Sequence, residues 1–228
     1  LFTRLDNVPE LQRKYRAVEL LLRKRMSHNW QFLGSLVWSR AAGNAGLNAS
    51  ASSGYSEAAN SANDFVNLTA NSRLDMDRPL MAKLMGTYVF PGDIYFSFLF
   101  AHVSGAPWGR TVTIVPPESW TASHRVQAVP AVVRLEEPGS RRHPSLSTLD
   151  LRIEKEFAVG ERIRLLLYAD ILNALGEKDG ILDLNDSGFW YPESGDLSLG
   201  TRILSSTYKK YTGLRGVRSV QLSLSLKF

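Results

Sequence analysis

Seven segments of this chain alternate apolar and polar residues with a period of two, which is the pattern of β-strands that have two different faces. The segments are residues 15–25, 30–40, 80–90, 94–104, 148–157, 162–172 and 220–228. One face of the last segment carries only apolar residues: Val220, Leu222, Leu224, Leu226 and Phe228. The alternation therefore predicts an all-β, antiparallel structure.

The connections between these segments are of two kinds. Tight polar turns are predicted at residues 26–29, 91–93 and 158–161, and long irregular loops at residues 41–76, 105–145 and 173–214. The two kinds alternate, so all tight turns are expected at one end of the strands and all long loops at the other. This asymmetry is typical of outer-membrane β-barrels, which have short periplasmic turns and long extracellular loops. Loops of this length are unusual in compact soluble domains.

Composition limits the other classes of protein. The 228 residues are 44% hydrophobic with a formal net charge of +5, and no run approaches the roughly 20 apolar residues of a spanning helix. A closed barrel is the membrane-spanning structure compatible with this pattern. Because cysteine is absent, a disulfide framework, a thiolate metal site and a cysteine nucleophile are excluded. Lysines and arginines are scattered rather than gathered in one stripe, so no nucleic-acid partner is predicted.

An odd number of strands leaves a bare edge in lipid, whereas bacterial single-chain barrels use even numbers. Residues 1–228 are therefore predicted to be one C-terminal portion of a larger outer-membrane barrel. Residues 1–10 have neither the basic start nor the apolar centre of a signal peptide. Since a barrel must be exported, the true N-terminus is expected upstream.

Short motifs at the strand ends carry a family resemblance. They are Tyr15-Arg16-Ala17-Val18-Glu19, Asp77-Arg78-Pro79, and residues 86–92, 104–108, 149–157, 170–175 and 220–228. In order and spacing they resemble the C-terminal third of TonB-dependent outer-membrane receptors, in particular the Oar-like subgroup. The resemblance implies a 22-stranded barrel in the bacterial outer membrane, closed by an N-terminal plug domain. It also implies a terminal strand read by the barrel-assembly machinery and a TonB-type inner-membrane complex that supplies energy.

The resemblance predicts uptake of a scarce solute, with this chain forming barrel wall and extracellular loops. The expected partners are outer-membrane lipid, the assembly machinery, the energy-coupling complex, and the rest of the barrel and its plug. No cofactor is expected. Two alternatives stay open: an outer-membrane structural or adhesion barrel that only displays loops, and a soluble β-sandwich binding module. A plug and a TonB box upstream would separate the first hypothesis from the second.

The candidate binding residues are aromatic side chains of the long loops: Trp108, Trp120, Trp190 and Tyr191. Exposed aromatic residues on loops bind sugars, peptides or planar ligands. The alternative is that these side chains pack the loops against each other or against the membrane rim.

The polar residues predicted to face the lumen are Arg152, Arg164, Tyr168 and Asp170. They are expected to bond to each other or to the plug rather than to a solute. Arg152 and Asp170 are expected to be neighbours across a hairpin, where opposite charges support strand register.

Catalytic and metal-binding patterns are weak. His28, His102, His124 and His143 lie far apart and follow no metal-ligand spacing, and no nucleophile elbow or phosphate-binding loop is present. The sequence therefore predicts a protein that is not an enzyme. Three carboxylates of the last loop could supply oxygen ligands to calcium, but a solvated acidic loop is the simpler interpretation: Asp179, Asp183 and Asp186.

Overall fold

The computed structural model is dominated by antiparallel β-sheet. It describes residues 12–43, 72–74, 76–115, 131–134, 136, 139–160, 163–177, 179–182, 189–193, 196–203, 206 and 210–228. These residues contain strands, turns and bends but no helix, which confirms the all-β prediction for the described part of the chain.

The main sheet has eight strands, of which seven are long, and each long strand corresponds to one predicted segment. They are β1 (Arg13–Ser27), β2 (Trp30–Gly43), β4 (Leu80–Phe90), β5 (Ile94–Val103), β10 (Leu146–Val159), β11 (Ile163–Leu172) and β16 (Ser219–Lys227). Their order in the sheet is β1-β2-β4-β5-β10-β11-β16, and every pairing is antiparallel. Among the described residues, β1 and β16 each pair on one side only, so they are the edges of this sheet.

Tight turns join the strands of three hairpins, as predicted. His28 and Asn29 both have positive φ, 52° and 66°, which is the conformation of a two-residue turn that matches the twist of the flanking strands. Gly92 and Asp93 also have positive φ, 83° and 58°. The third turn begins at Gly160, later than predicted, because β10 continues past residue 157.

One face of the sheet is apolar and the other is polar. Residues that are paired across adjacent strands form rows, and two neighbouring rows show this difference. One row crosses six strands and is apolar: Trp30, Tyr88, Phe96, Ile153, Ala169 and Leu222. The row one residue away lies on the opposite face and is polar: Gln31, Thr87, Ser97, Arg152, Asp170 and Gln221. We call these two sets the apolar row and the polar row.

No described element covers the apolar face. Leu222 is 81% exposed, Trp38 71% and Ile153 53%. The buried apolar residues of the described chain are few and mostly small, and they lie largely where loops meet strand ends: Ala41, Ala42, Leu74, Val112 and Leu166. The sheet therefore has no conventional hydrophobic core on its apolar face.

Aromatic rings compensate for a glycine within the apolar face. Gly86 of β4 lies between Phe32 of β2 and Phe98 of β5 in the strand register. A Cβ atom at Gly86 would lie 2.7 Å from Phe98 Cε1 and 3.2 Å from the backbone oxygen of Gln31. The glycine therefore leaves the space that the Phe98 ring fills, a known way to stabilise glycines in sheets.

The prediction that the long loops are irregular is wrong in part, because the described parts of these loops contain nine short strands. These are β3 (Ser72–Arg73), β6 (Pro107–Trp108), β7 (Thr111–Ile114), β8 (Ala131–Arg134), β9 (Arg141–Arg142), β12 (Asp179–Leu182), β13 (Phe189–Glu193), β14 (Asp196–Ile203) and β15 (Tyr211–Arg215). β3 pairs with β2, β6 with β9, and β12 with β15, while β14-β13-β7-β8 form a separate four-stranded sheet. The pairs β6-β9 and β12-β15 extend hairpins whose long strands are paired in the main sheet. In β7, the run of β-branched residues at 111–114 favours extended chain.

Candidate functional site

Asp77 lies at the loop end of the sheet, between β3 and β4. On either side of it the chain follows β2, because the Leu74 amide donates to the Ala41 oxygen at 3.0 Å and the Ser39 amide donates to the Pro79 oxygen at 3.0 Å. Asp77 is thereby folded under β2, fully buried, and its Oδ1 accepts the Ala41 amide at 2.6 Å. A buried carboxylate requires such partners, since burial without them is costly.

Arg142 of β9 brings a second loop onto the same carboxylate. Its Nη2 pairs with Asp77 Oδ2, and its Nη1 donates to the Asp77 backbone oxygen at 3.2 Å and to the Gly105 oxygen at 3.0 Å. Arg73 adds a longer contact of 3.4 Å to Oδ2. Burial raises the pKa of Asp77, but the hydrogen bonds from Ala41 and Arg142 and the charge of Arg142 outweigh it. The pKa of this carboxyl therefore lies below its usual value.

A second carboxylate of the loops, Glu136, lies between two guanidinium groups. Arg141 donates through Nε at 2.6 Å and Nη2 at 3.1 Å, and Arg110 donates through its amide at 2.9 Å and its Nε at 3.1 Å. The hydrogen bond from Arg141 is the largest influence, and together with Arg110 it outweighs burial and lowers the pKa of Glu136 to about 2. The carboxylate is therefore ionised and held from both sides at neutral pH.

Trp108 contacts the same group of side chains. The Arg141 guanidinium lies 5.4 Å from the centroid of the Trp108 ring, and the ring of His143 lies 6.1 Å away. The indole nitrogen of Trp108 is buried and has no hydrogen-bond acceptor among the described residues. Trp108, Arg110, Glu136 and Arg141 thus form one group, which we call the loop cluster.

The other predicted loop aromatics lie in a different loop strand or outside the described residues. Trp190 and Tyr191 lie in β13, where the Trp190 oxygen accepts the Val115 amide at 2.9 Å and Tyr191 is 39% exposed. Trp120 lies outside the described residues. Solute binding by these side chains stays a prediction.

Arg152 and Asp170 are cross-strand neighbours, which confirms the predicted pair. Arg152 Nε and Nη2 donate to the two carboxylate oxygens at 2.6 and 2.9 Å. The guanidinium also lies 5.2 Å from the Tyr168 ring centroid, and Arg164 pairs with Glu156 at 3.4 Å. All four predicted polar residues lie on the face of the polar row, and the charged ones among them are paired with each other or with neighbours on that face.

The terminal strand and the calcium candidates complete the predicted residues. Val220, Leu222, Leu224 and Leu226 lie together on the apolar face of β16, and Phe228 is 94% exposed. Asp183, Asp186 and the side chain of Asp179 lie outside the described residues, so the calcium hypothesis stays a prediction.

Sequence reasoning missed the residues that organise the loops: Asp77, Arg110, Glu136 and Arg142. Asp77 belongs to the motif Asp77-Arg78-Pro79, which by itself supports only the family resemblance. The two arginines 141 and 142 precede a strand and follow Pro138-Gly139, a turn signal that could have indicated a hairpin within the loop. The carboxylate partner of Arg142 could not be assigned, because its contact with Asp77 spans 65 positions.

No protein-family model matches this chain, and no curated protein matches it. Among the described residues, no helix is long and apolar enough to cross a membrane. The functional interpretation therefore rests on the geometry described above and on the sequence motifs.

Proposed function

We propose that this chain forms wall strands and external loops of a TonB-dependent receptor in the bacterial outer membrane, and that the receptor imports a scarce solute. The observation that carries this proposal is that seven paired strands have an uncovered apolar face, while the opposite face of the same strands is polar. Lipid would cover the apolar face, and the polar face would line a wet lumen. A soluble β-sandwich would instead need a second layer over the apolar face, and no described element supplies one.

The length of the apolar band supports a membrane location. On β1 the band lies between Arg16 and Lys24, and on β10 between Ser147 and Lys155. Eight residues of strand rise about 26 Å, and a tilt of about 40° reduces the height to about 20 Å, near the ~25 Å band of outer-membrane barrels. Phe157, beyond Lys155 on the same face, extends the band.

The hairpin tips are staggered in the way that tilted barrel strands require. Along the apolar row, Trp30 directly follows the first turn, Tyr88 lies three residues before Pro91, and Ile153 lies seven residues before Gly160. Each tip thus lies farther beyond the row than the previous one. Closing a barrel requires such a progressive offset between strands.

Lysines and aromatic rings meet at the turn end of the apolar face. Lys24 Nζ donates to the backbone oxygens of Ser27 and Trp30 at 2.8 and 2.9 Å and lies 3.8 Å from the Trp30 ring centroid. Lys155 Nζ donates to the Gly92 oxygen and lies 5.4 Å from the Phe157 ring centroid. Lysines that reach back to polar groups beside aromatic rings suit a membrane interface.

The transport part of the proposal depends on the family resemblance. The motifs at 77–79, 104–108 and 149–157 fit the C-terminal strands of TonB-dependent receptors, and energy coupling would come from a plug and a TonB box outside this chain. The long loops would supply solute recognition, because the ion pairs of Asp77 and Glu136 hold parts of these loops in place. Assembly would depend on recognition of β16 by the barrel-assembly machinery.

A barrel that displays loops without transport is the second candidate. The four-stranded sheet β14-β13-β7-β8 favours it, since an ordered platform suits adhesion as well as solute capture. The two candidates share the membrane-facing sheet and differ in the need for energised uptake.

The test is to isolate the native polypeptide from carbonate-washed outer membrane and determine its mass and N-terminal sequence. We expect a chain several-fold larger than 25.4 kDa that begins with a plug-like domain and carries a TonB box. A larger barrel protein without plug or box would favour loop display. Recovery in the aqueous fraction would refute both candidates.

A further inference from the structure

We propose that the loop cluster is a binding site for a solute that carries a carboxylate, and that Glu136 fills this site in the unliganded protein. The inference deepens the proposed receptor function by giving the class of solute, and in that sense rests on it. The geometry of the site comes from the loop cluster alone.

Several hydrogen-bond donors converge on the carboxylate of Glu136. Arg110 and Arg141 present two guanidinium groups and one backbone amide to the same pair of oxygens. The indole N–H of Trp108, whose ring lies beside Arg141, is buried and has no acceptor among the described residues. An additional oxygen acceptor is the chemistry that would satisfy such a group, because buried donors without partners are unfavourable.

The arrangement fits a planar carboxylate. Each arginine reaches both oxygens of Glu136 with two donors, and charge-assisted contacts of this fork type recognise carboxylates specifically. The Trp108 ring, beside Arg141 and His143, supplies a surface for the body of a ligand. Glu136 uses only the carboxylate part of the site and leaves the Trp108 donor unsatisfied.

Glu136 would act as a tethered competitor. A carboxylate on the same chain has an effective concentration of about millimolar or more, so a simple anion such as acetate does not displace it at low concentration. A ligand that also contacts the Trp108 ring and its N–H would gain interactions that Glu136 does not make. The cluster would therefore select larger carboxylate-bearing solutes over small anions.

The experiment uses the full-length protein in detergent and measures citrate binding by calorimetry. Glu136→Gln removes the competing charge, so we expect citrate to bind about tenfold more tightly than to the unaltered protein, as for the loss of one charge-assisted contact. In the Glu136→Gln background, Arg141→Lys keeps the positive charge but removes the fork, and it should abolish this gain. Arg40→Gln, a charge change at the same end of the sheet but outside the cluster, should leave the gain intact.

Two results would overturn the inference: no gain on Glu136→Gln, or a gain that survives Arg141→Lys. Heat-modifiable migration of each variant confirms that the barrel has folded. Membrane fractionation and N-terminal sequencing, not calorimetry, would reveal a failure of the receptor proposal. The two failures can therefore be distinguished. If the protein is a barrel but its variants do not show the predicted changes in citrate binding, only the ligand inference is refuted.

Discussion

The apolar row and the polar row cross the same six strands one residue apart, yet they are stabilised differently. Tyr88, Ile153 and Leu222 of the apolar row stay between 42% and 81% exposed, with no described partner layer. On the other face Asp170 is 5% exposed and forms a two-point ion pair with Arg152. Arg152 and Asp170 thus satisfy each other within the sheet, whereas no described element covers the apolar row, which the proposed membrane location would place against lipid.

The largest expected effect comes from placing a charge on the apolar face. Leu222→Arg should lower the free energy of unfolding of the full-length protein in bilayers by about 2–4 kcal/mol, the cost of arginine facing lipid near the membrane centre. Ser223→Arg, one residue away on the polar face, is the matched control and should change it by less than about 1 kcal/mol. Denaturant unfolding measures both. Equal, small effects would mean that water covers both faces.

A smaller loss is expected from the polar row. Asp170→Ala leaves Arg152 without its carboxylate and should cost about 1–3 kcal/mol. Adding Arg152→Met should recover part of that loss, because the unpaired charge is removed. A double-mutant cycle gives the coupling between the two side chains. Additive effects would show that the ion pair does not stabilise the sheet.

The packing of the apolar face can be probed at its glycine. Gly86→Ala places a methyl group against the Phe98 ring and should destabilise the protein by about 1 kcal/mol. Phe98→Leu should reduce that penalty in the double variant, because the ring that the methyl group meets is gone. Urea unfolding of the four proteins provides the measurement, and a penalty unaffected by Phe98→Leu would point to the backbone instead.

The pH dependence of the loops follows from the lowered pKa of Glu136. A lowered pKa means that the ion pairs contribute fully above about pH 4.5 and are lost as the pH falls towards about 2. Pepsin cleavage within residues 105–145 should therefore accelerate over this range, after correction for pepsin activity on an unfolded substrate. In Glu136→Gln the cleavage should already be fast at pH 4.5. Asp77, whose pKa is also lowered, acts in the same direction.

The smallest equilibrium effect is expected at the chain end. Deleting Phe228, which is 94% exposed, should slow assembly into the outer membrane without changing solute preference. Pulse-chase appearance of heat-modifiable protein measures the rate. Normal assembly of the shortened protein would contradict the role of the terminal strand as an assembly signal.

The long strands and their faces were predictable because period-two alternation is a local property of the sequence. The Arg152 and Asp170 pair was predictable as a cross-hairpin contact of opposite charges, but its exact register was not, because the turn begins at Gly160 rather than at residue 158. The charge contacts of the loops were not predictable. Asp77 contacts Arg142 only because two separate loops return to the same strand end. A local sequence pattern does not predict such a contact.

The short loop strands show a second limit. A two-residue ladder such as β6 with β9 is below the length at which alternation can be recognised, so the sequence predicts an irregular loop there. The sequence indicates Trp108 as a candidate binding residue, but it does not indicate the neighbours Glu136 and Arg141, because both lie far along the chain from Trp108.

The most direct test labels the two rows. The chain contains no cysteine, so Leu222→Cys and Tyr88→Cys on the apolar row can be compared with Gln221→Cys and Thr87→Cys on the polar row. Each variant carries a fluorescent label in the full-length protein, reconstituted with brominated lipid. We predict lipid quenching at residues 222 and 88 and aqueous iodide quenching at residues 221 and 87. Iodide quenching at all four positions would contradict the membrane-facing assignment of the apolar face.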